Sequence, residues 1–414
     1  MQISRPEEFY DLIVVGAGMV GASFCCALEH ALGEQSLSIL VVEAVPPTAD
    51  ISKQSSFDAR CTALSFGSRK IFERIDVWQE LGAAVSAIHE IQVSDRGRFG
   101  SVALKAAEQN VDALGYVVEN RQLGQILNAR LIRSESIKLL CPASVSSVTA
   151  TEQGMQLSLR SGESDVIVDT SLVVLADGGK SPACEQLGIG QSIERYNQHA
   201  LIANIVFEKP HCNIAYERFT DTGPLAILPL QSIDGKNRGS LVWTLSVEQA
   251  AKYREMSDSE ILTLLQKRFG FRLGRMEQIG ERFVYPLSLS VAREQIRPGL
   301  ALLGNVAHTL HPVAGQGLNL ALRDAEALVD VLVAARQEGR TVGEMSTLLQ
   351  YIARQQADQT LTTQFTHSVT KLFSSNNAAK VWLRKFGLVA MDLAPTLRRG
   401  LAGRAMGSVS TAKK

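Results

Sequence analysis

Asp11-Leu-Ile-Val-Val-Gly-Ala-Gly-Met-Val-Gly21 is the stretch that decides the fold of this chain. Its apolar run is typical of a buried parallel strand, and the glycines that follow have the spacing G-x-G-x-x-G. Gly16 allows a tight turn, Gly18 lets backbone N–H groups approach a pyrophosphate, and Gly21 lets the next helix lie close to the strand. The stretch therefore predicts a strand, a turn and a helix whose N-terminus binds the phosphates of a dinucleotide.

A second apolar strand runs from Leu37 to Val42 and ends in Glu43. An acidic side chain at this place accepts hydrogen bonds from ribose hydroxyls. A strand, three glycines, a helix, a second strand and a terminal acid in one unit favour a nucleotide site over a glycine-rich turn without a ligand. NAD and FAD both satisfy this unit, so it leaves the choice between them open.

Length and composition narrow the class of protein. The chain has 414 residues, of which 45% are hydrophobic, with 42 basic and 42 acidic side chains. That length suits two domains, or one large α/β body with an insertion. Zero net charge gives no overall attraction to nucleic acid, so no nucleic-acid partner is predicted. Scattered cysteines and histidines, without C-x-x-C or H-E-x-x-H spacing, favour reduced structural thiols and predict no metal site.

A third apolar run, from Ser171 to Ala176, closes in Asp177 and Gly178. It reads as another buried strand that places a carboxylate at the sheet edge where α/β folds bind ligands. Arg60 follows the first nucleotide-binding unit closely, and two alternatives are open for it. It is either a solvated surface charge or a charge-assisted donor to the phosphates of the cofactor.

The segment after Leu300 favours FAD over NAD. A short strand precedes Gly304-Asn305, and the loop from His311 to Asn319 leads into a long helix. Glycines in this loop would expose backbone N–H groups at the positive end of that helix. A reduced flavin carries negative charge that such a terminus stabilises, whereas a nicotinamide offers no anion there. His308 and His311 are expected to pack or hydrogen-bond, with proton transfer as the alternative.

The predicted fold is α/β: a Rossmann-like FAD-binding domain with an inserted, mainly antiparallel β-sheet substrate domain and a C-terminal helical segment. Alternating strands between residues 200 and 285, around one helix from Ser257 to Phe269, predict the inserted sheet. The predicted boundaries are 1–75, 110–190 and 286–360 for the FAD-binding domain, 76–109 and 191–285 for the substrate domain, and 361–414 for the C-terminal segment.

In their order along the chain, these motifs resemble those of the single-component, group A FAD-dependent aromatic hydroxylases, over about residues 10 to 365. A finer set of motifs is similar to the ubiquinone-biosynthesis hydroxylases. It comprises Asp95-Arg96-Gly97, Val118-Glu119-Asn120, Glu217-Arg218-Phe219-Thr220, Gly223-Pro224-Leu225-Ala226 and Gly304-Asn305 with the loop through Gly317.

The resemblance implies a reaction. NAD(P)H would reduce FAD, O2 would be captured as a flavin C4a-hydroperoxide, and one oxygen atom would pass to the ring of a polyprenylated (methoxy)phenol. The protein would position the ring and exclude water, because a wet hydroperoxide decays to H2O2. The alternatives are an FAD-dependent oxidase or reductase of another aromatic substrate, and a flavoprotein scaffold subunit of the biosynthetic complex.

Spacing and resemblance together give the candidate site residues. Those expected to bind the cofactor are Gly16, Gly18, Gly21, Glu43, Arg60, Arg121, Asp177, Gly178, Gly304, Asn305, Gly317, Leu318 and Asn319. Those expected to act in catalysis through the backbone, under the isoalloxazine ring, are Pro312, Gly315, Gln316 and Gly317. Two positions depart from the wider family. Asn305 stands where the wider family has an Asp, and it keeps a hydrogen-bond acceptor. Asn120 stands where the wider family has an Arg, and Arg121 follows one residue later.

The C-terminal segment combines apolar residues with positive charge. Its basic residues include Lys380, Arg384, Lys385, Arg398, Arg399, Arg404, Lys413 and Lys414. This pattern predicts basic amphipathic helices, which form either a cap on the domain or a docking surface for anionic lipid or a ubiquinone-biosynthesis complex. Since no segment reaches the ~20 apolar residues of a membrane span, the expected location is cytoplasmic, with peripheral attachment to the inner face of the membrane as a hypothesis. The sequence does not predict an oligomeric state.

Overall fold

The structure is a computed structural model that describes residues 8–33, 35, 37–46, 60–95, 101–311 and 315–373. The strands in these ranges form sheets of eight, nine and three strands. None of the helices described there has the length and apolar character needed to cross a membrane. In the same ranges, no three His, Cys, Asp or Glu side chains gather in a way that could hold a metal ion.

The eight-stranded sheet is built around the apolar runs that the sequence marks as buried. Its strands are β1 (Phe9–Val15), β2 (Ile39–Val42), β8 (Ile137–Leu140), β9 (Ser144–Thr151), β10 (Gly154–Ser161), β11 (Ser164–Leu175), β18 (Ile296–Arg297) and β19 (Leu300–Leu302). The order β18-β19-β11-β1-β2-β8 places β1 at the centre, parallel to β2 and β11. Because side chains on both faces of β1 are covered, it reads as a continuous apolar run.

Helices cover one face of this sheet. The helices that form a single buried core with the sheet include α1 (Met19–Leu32), α2 (Phe66–Arg74), α4 (Asn120–Arg133) and α8 (Gln316–Gln337). Leu123, Leu127 and Leu131 of α4 are all buried, as their helical spacing predicts. The long helix α9 (Met345–Phe373) packs on α8. The C-terminal ends of β1, β2 and β11 are left open at one edge of the sheet.

The nine-stranded sheet is mainly antiparallel. Its strands are β5 (Glu90–Asp95), β6 (Ser101–Lys105), β12 (Gln191–Phe207), β13 (Ile214–Phe219), β14 (Pro224–Ile233), β15 (Lys236–Ser246), β16 (Met276–Ile279), β17 (Phe283–Ala292) and β20 (His308–Thr309). One face packs on α6 (Val247–Glu255) and α7 (Asp258–Phe269) around the buried Trp243. The prediction of a single helix here was wrong, because α6 is a second one. Its capping box, formed by Ser246 and Gln249, was the sequence signal for it.

A three-stranded sheet lies between the two larger ones. It consists of β3 (Cys61–Ser65), β7 (Gly115–Glu119) and β4 (Ser86–Ile88), in the order β3-β7-β4. Two short helices complete the described elements, namely α3 (Val77–Leu81) and α5 (Pro182–Gln186).

Two of the predicted domain boundaries fall inside elements. The boundary at 285/286 lies within β17, and the boundary at 360/361 lies within α9. A hydrogen-bonded strand and an unbroken helix carry the chain across these two positions. Of the predicted Asp95-Arg96-Gly97 turn, Asp95 ends β5, and Arg96 and Gly97 lie outside the described residues, as do residues 374–414.

Candidate active site

The glycine turn after β1 is held by contacts that leave no room for a side chain. Gly16 has φ +100°, and its N–H donates to the carbonyl oxygen of Val42 at 2.8 Å. A Cβ on Gly16 would lie 2.7 Å from the carbonyl oxygen of Ala176, and a Cβ on Gly21 would lie 2.0 Å from the carbonyl oxygen of Gly16. These two positions therefore require glycine for packing alone.

Helix α1 starts from this turn with an open N-terminus. Gly18 is its N-cap residue, so no side chain caps the helix, and its first turn has no acidic residue. The first N–H groups of a helix have no partner within the helix and lie at the positive end of its dipole. This end of α1 is therefore a site for an anionic group such as a pyrophosphate.

Glu43 lies beside the glycine turn, at the end of β2. Its Oε2 accepts a hydrogen bond from the Ala17 N–H at 2.7 Å, and its Oε1 accepts one from the Val45 N–H at 2.9 Å. Each carboxylate oxygen has two lone-pair sites, so both keep capacity for a hydroxyl donor. The backbone thus fixes an acceptor where the sequence predicts a ribose contact.

Asp177 follows β11 on the other side of the turn. Burial raises the pKa of its carboxyl group above the ordinary value, while a hydrogen bond with Ser181 acts in the opposite direction. Its Oδ1 is buried and has no hydrogen-bond partner in the described part of the chain. A buried acceptor without a partner carries a free-energy cost that a bound donor would remove.

The start of α8 forms the third side of the site. Its N-cap is Gly315, with φ +60°, and no side chain caps the helix. Gly317 has open space where a side chain would be, because a Cβ there would meet no atom within 4 Å. Asn305 reaches the same region from a 3₁₀ turn over Gly304–Val306. A second uncapped helix end therefore faces the ligand space that α1 faces.

The start of α1, Glu43, Asp177 and the start of α8 line one cleft of about 500 Å³. The predicted residues that line it are Gly16, Gly18, Glu43, Asp177, Gly178, Asn305, Gly317 and Leu318. They come from segments more than 250 residues apart in the chain, and the open ends of β1, β2 and β11 bring them together.

Other predicted residues lie beside the cleft and not in its lining. Gly21 and Gly304 lie behind it, where a Cβ on Gly304 would be 3.0 Å from the Val20 side chain. The guanidinium of Arg60 lies over the ring of Tyr285 at 4.6 Å. The sequence predicts either a solvated charge or a phosphate donor at Arg60. Neither alternative includes this contact with Tyr285, which belongs to β17 of the nine-stranded sheet.

Arg121 and Asn319 also lie elsewhere. Arg121 is 54% exposed and lies 3.8 Å from Oε2 of Glu119. The buried amide of Asn319 accepts from Ser65 N–H and the Ser68 hydroxyl, and donates to two carbonyl oxygens. Because all four of these hydrogen bonds are made with protein, the Asn319 side chain joins α8 to β3 and has no capacity left for a cofactor.

The candidate catalytic loop is described in part. Pro312 lies outside the described residues, Gly315 and Gln316 begin α8, and the Gln316 side chain is buried. His308 Nε2 lies 2.5 Å from Oδ2 of Asp324, and both side chains are buried. Burial lowers the pKa of His311 to about 4, which keeps it neutral at physiological pH.

The sequence did not predict the wall of the cleft that lies beside Glu43. This wall is formed by Ala143, just before β9, and by Ser144 and Val145 at the start of β9. Glu43 is tied to it, because its N–H donates to Leu140 and its carbonyl oxygen accepts from the Ala143 N–H. The available signal was the run Ile137–Leu140, since the end of a strand parallel to β2 must reach the same edge of the sheet.

Comparison with known proteins identifies the family. The model of the FAD binding domain family matches residues 10–366. The ubiquinone hydroxylase UbiL of Rhodospirillum rubrum is 34% identical over 404 residues, which cover 97% of this chain and 91% of UbiL. The 3-demethoxyubiquinol 3-hydroxylase of Escherichia coli is 31% identical, over 98% of this chain and 99% of that enzyme. This chain belongs to the FAD-dependent ubiquinone hydroxylase family.

Solved structures support the fold of this family member. The crystal structure of p-nitrophenol 4-monooxygenase PnpA from Pseudomonas putida superposes with a TM-score of 0.77, over 96% of this chain and 97% of that one. At 14% identity this likeness concerns the fold alone. The predicted fold class is confirmed, and so is the prediction of FAD as the cofactor.

The cleft of this FAD-dependent hydroxylase fits the cofactor. Two uncapped helix ends suit the pyrophosphate and the negative charge of a reduced flavin. Glu43 offers acceptors for ribose, and Asp177 has a buried oxygen without a partner in the described residues. These groups converge on one cavity, so the fit rests on the residues of this chain as well as on its relatives.

Proposed function

We propose that this protein hydroxylates the aromatic ring of a polyprenylated (methoxy)phenol in ubiquinone biosynthesis, using FAD, NAD(P)H and O2. The observation that carries the proposal is the single cleft in which α1, Glu43, Asp177 and the start of α8 meet. Two relatives named as ubiquinone or demethoxyubiquinol hydroxylases match nearly the whole chain and support the pathway. The sequence motifs also resemble those of 2-octaprenyl-6-methoxyphenol hydroxylase, and we propose a substrate of that class for this chain.

Bound FAD would take a hydride from NAD(P)H and supply activated oxygen to the ring. The residues of the chain have three tasks in this reaction. The start of α1 binds the pyrophosphate, and Glu43 holds the ribose. The N–H groups at the start of α8 stabilise negative charge on the reduced ring.

The source of the new oxygen atom tests the reaction type. Purified holoenzyme is supplied with NAD(P)H, a short-chain prenylated phenol and ¹⁸O2. We expect one labelled atom in the ring hydroxyl and the other in water. An FAD-dependent oxidase would release labelled H2O2 and leave the phenol unlabelled.

The pathway is tested in cells that lack the protein. Mass spectrometry of their quinone extracts should show lost ubiquinone and one accumulated prenylated methoxyphenol, whose structure identifies the ring position. A Gly16→Val variant, which cannot form the cofactor turn, should fail to restore ubiquinone. Restoration by this variant would indicate a scaffold role, and normal ubiquinone in the deleted cells would contradict the pathway.

We also propose that the basic segment after Phe373 attaches the enzyme to anionic lipid at the inner face of the cytoplasmic membrane. The support is the charge of the segment and the chemistry of a polyprenyl substrate, which resides in lipid. A partner enzyme of the pathway is the competing occupant.

A further inference from the structure

The nine-stranded sheet has a second face, turned away from α6 and α7. A row of directly opposed residues crosses this face from β5 to β17. Its members are Val93, Glu217, Ala226, Val242, Ile202 and Phe283. Cross-strand partners project to the same side of a sheet. All six are partly accessible, whereas neighbours such as Tyr216 and Trp243 on the helix face are buried.

This row faces the part of the protein that carries the start of α8. Asn204 lies two residues after Ile202 on β12, and its Oδ1 accepts a hydrogen bond from Cys61 Sγ of β3 at 3.5 Å. Ala63 lies two residues after Cys61 and so on the same face of β3. A Cβ on Gly315 would be 3.1 Å from the Ala63 Cβ. One face of β3 therefore contacts both the sheet with the row and the loop proposed to lie under the flavin ring.

Glu217 is the one ionisable residue in this apolar row. Its carboxylate has no hydrogen bond or ion pair within the described part of the chain. Burial alone raises the pKa of this carboxyl group to about 7. The other ionisable groups on this side are Arg60, Cys61, Asp95, Glu119, Arg238 and Tyr285. None of them contributes to the pKa of Glu217.

A largely desolvated carboxylate without a partner is costly to the fold. The cost is offset when a ligand supplies a hydroxyl donor to the carboxylate, and a phenol is such a donor. The apolar residues on both sides of Glu217 suit an aromatic ring with methoxy and prenyl substituents.

On the basis of the proposed function, we propose that Glu217 binds the hydroxyl group of the phenol substrate and accepts its proton, while the flanking apolar row holds the ring. The phenol O–H bond breaks, the proton passes to a Glu217 oxygen, and the electron pair stays on the phenolate oxygen. This pair raises the electron density of the ring carbon that accepts oxygen from O2.

The rest of the reaction returns Glu217 to its starting state. The hydroxylated carbon loses its hydrogen as a proton, and protonated Glu217 gives its proton back to the phenolic oxygen, which restores both the aromatic phenol and the Glu217 carboxylate. The second atom of O2 leaves as water with the two electrons of NAD(P)H. Glu217 acts as a general base, a role that is most effective when the pKa lies near the working pH.

The test compares Glu217→Gln with Glu277→Gln, a matched change at an exposed glutamate of the same sheet. Both holoenzymes should carry full FAD and be reduced by NAD(P)H at the wild-type rate. In wild type and the control, kcat/KM for hydroxylation should rise with pH through about 7. In Glu217→Gln this rise should move to the higher pH at which the phenol itself ionises, with kcat lowered about 100-fold at pH 7. Ring-fluorinated substrate, whose hydroxyl is more acidic, should recover much of the loss.

Binding gives a readout that does not depend on turnover. Wild-type holoenzyme should bind a prenylated phenol at least tenfold more tightly than its O-methyl ether, and Glu217→Leu should lose this preference. An unchanged pH profile in Glu217→Gln, or an unchanged preference in Glu217→Leu, would overturn the assignment of Glu217. A wild-type holoenzyme that binds the phenol but hydroxylates no ring would instead refute the proposed function, and the catalytic role of Glu217 with it.

Discussion

At the scale of single residues, the glycines in and directly behind the cleft are of two kinds. Gly16 and Gly21 have backbone atoms where a side chain would be, whereas Gly317 has open space. The two kinds share one residue type in the sequence, but they have different physical reasons to be glycine. The first kind is required by the fold, and the second leaves room for the cofactor.

Gly317→Val should lower FAD affinity about 10- to 100-fold, because the new side chain enters the cofactor space. The apoprotein should unfold at the wild-type temperature, since no protein atom opposes the added Cβ. FAD titration and thermal unfolding of the apoprotein measure the two quantities. Gly21→Val is the contrasting variant and should fail to fold. Equal loss of folding in both variants would contradict the distinction.

Glu217 should also make stability depend on pH. Its pKa in the folded protein is about 7, above the ordinary value of 4.5, so the folded state binds the proton more tightly than the unfolded chain. The stability of wild type should therefore fall between about pH 4.5 and pH 7. Relative to Glu217→Gln, the loss should reach ~3 kcal/mol at pH 8. Urea denaturation at pH 5 and pH 8 checks this, with Glu277→Gln expected to follow wild type.

The sequence was most informative at residues whose role follows from the backbone. Gly16, Glu43 and Asp177 were predicted because the ends of neighbouring parallel strands must meet at one edge. The contacts of Arg60 and Asn319 were harder to predict from the sequence, because the direction of a side chain depends on contacts with distant segments. Tyr285 lies below the Arg60 guanidinium, and Ser65 and Ser68 occupy the Asn319 amide.

At the scale of elements, α8 must be held in a fixed position relative to β3 so that the N-terminus of α8 faces the cleft. The Asn319 amide provides four hydrogen bonds at this junction, to Ala63, Ser65, Ser68 and Gly315. Sequence periodicity predicts that α8 exists and which face is apolar, but it cannot show what fixes the first turn. The first turn is fixed by the hydrogen bond from the Ser65 N–H to the Asn319 amide, which joins residues more than 250 positions apart in the chain.

Asn319→Ala should destabilise the protein by about 1–3 kcal/mol, because buried groups of β3 and α2 lose their partners. The FAD affinity should fall as well, since the start of α8 is no longer fixed. Asn237→Ala is the control: this amide donates to the carbonyl oxygen of Glu208 at an exposed site, and its loss should cost less than ~0.5 kcal/mol. Chemical denaturation compares the two variants, and equal losses would refute the structural role of Asn319.

At the scale of the whole molecule, α9 belongs to the folded body beyond the predicted boundary at residue 361. Arg323 Nε donates to Oδ2 of Asp358 at 2.6 Å, and the Tyr196 hydroxyl lies 3.0 Å from Nδ1 of His367. These contacts join α9 to α8 and to β12. A truncation that tests the C-terminal segment should therefore leave α9 complete.

A chain ending at Phe373 should keep its FAD and its unfolding temperature but lose association with anionic liposomes. The basic residues that it lacks supply the attraction to the lipid surface, which 0.5 M salt should also weaken. A chain ending at residue 360 is the contrast, because it loses the His367 contact and should unfold at lower temperature. Co-sedimentation with liposomes measures the association. If the chain that ends at Phe373 still binds liposomes as the full chain does, the lipid proposal loses its support. The alternative, in which the C-terminal segment forms a cap on the domain, would then be favoured.

The pairing of β12 with β17 has a consequence for the history of the fold. Gln191, where the chain enters the large insertion, lies directly opposite Ala292, where the chain leaves it. When the two ends of an insertion lie side by side, the insertion can be replaced by another one without moving the parts of the chain to which it is joined. Duplicated genes could thus acquire new insertions while the nucleotide cradle stayed the same. Members of one family can in this way diverge in the molecules they modify and inherit a common chemistry.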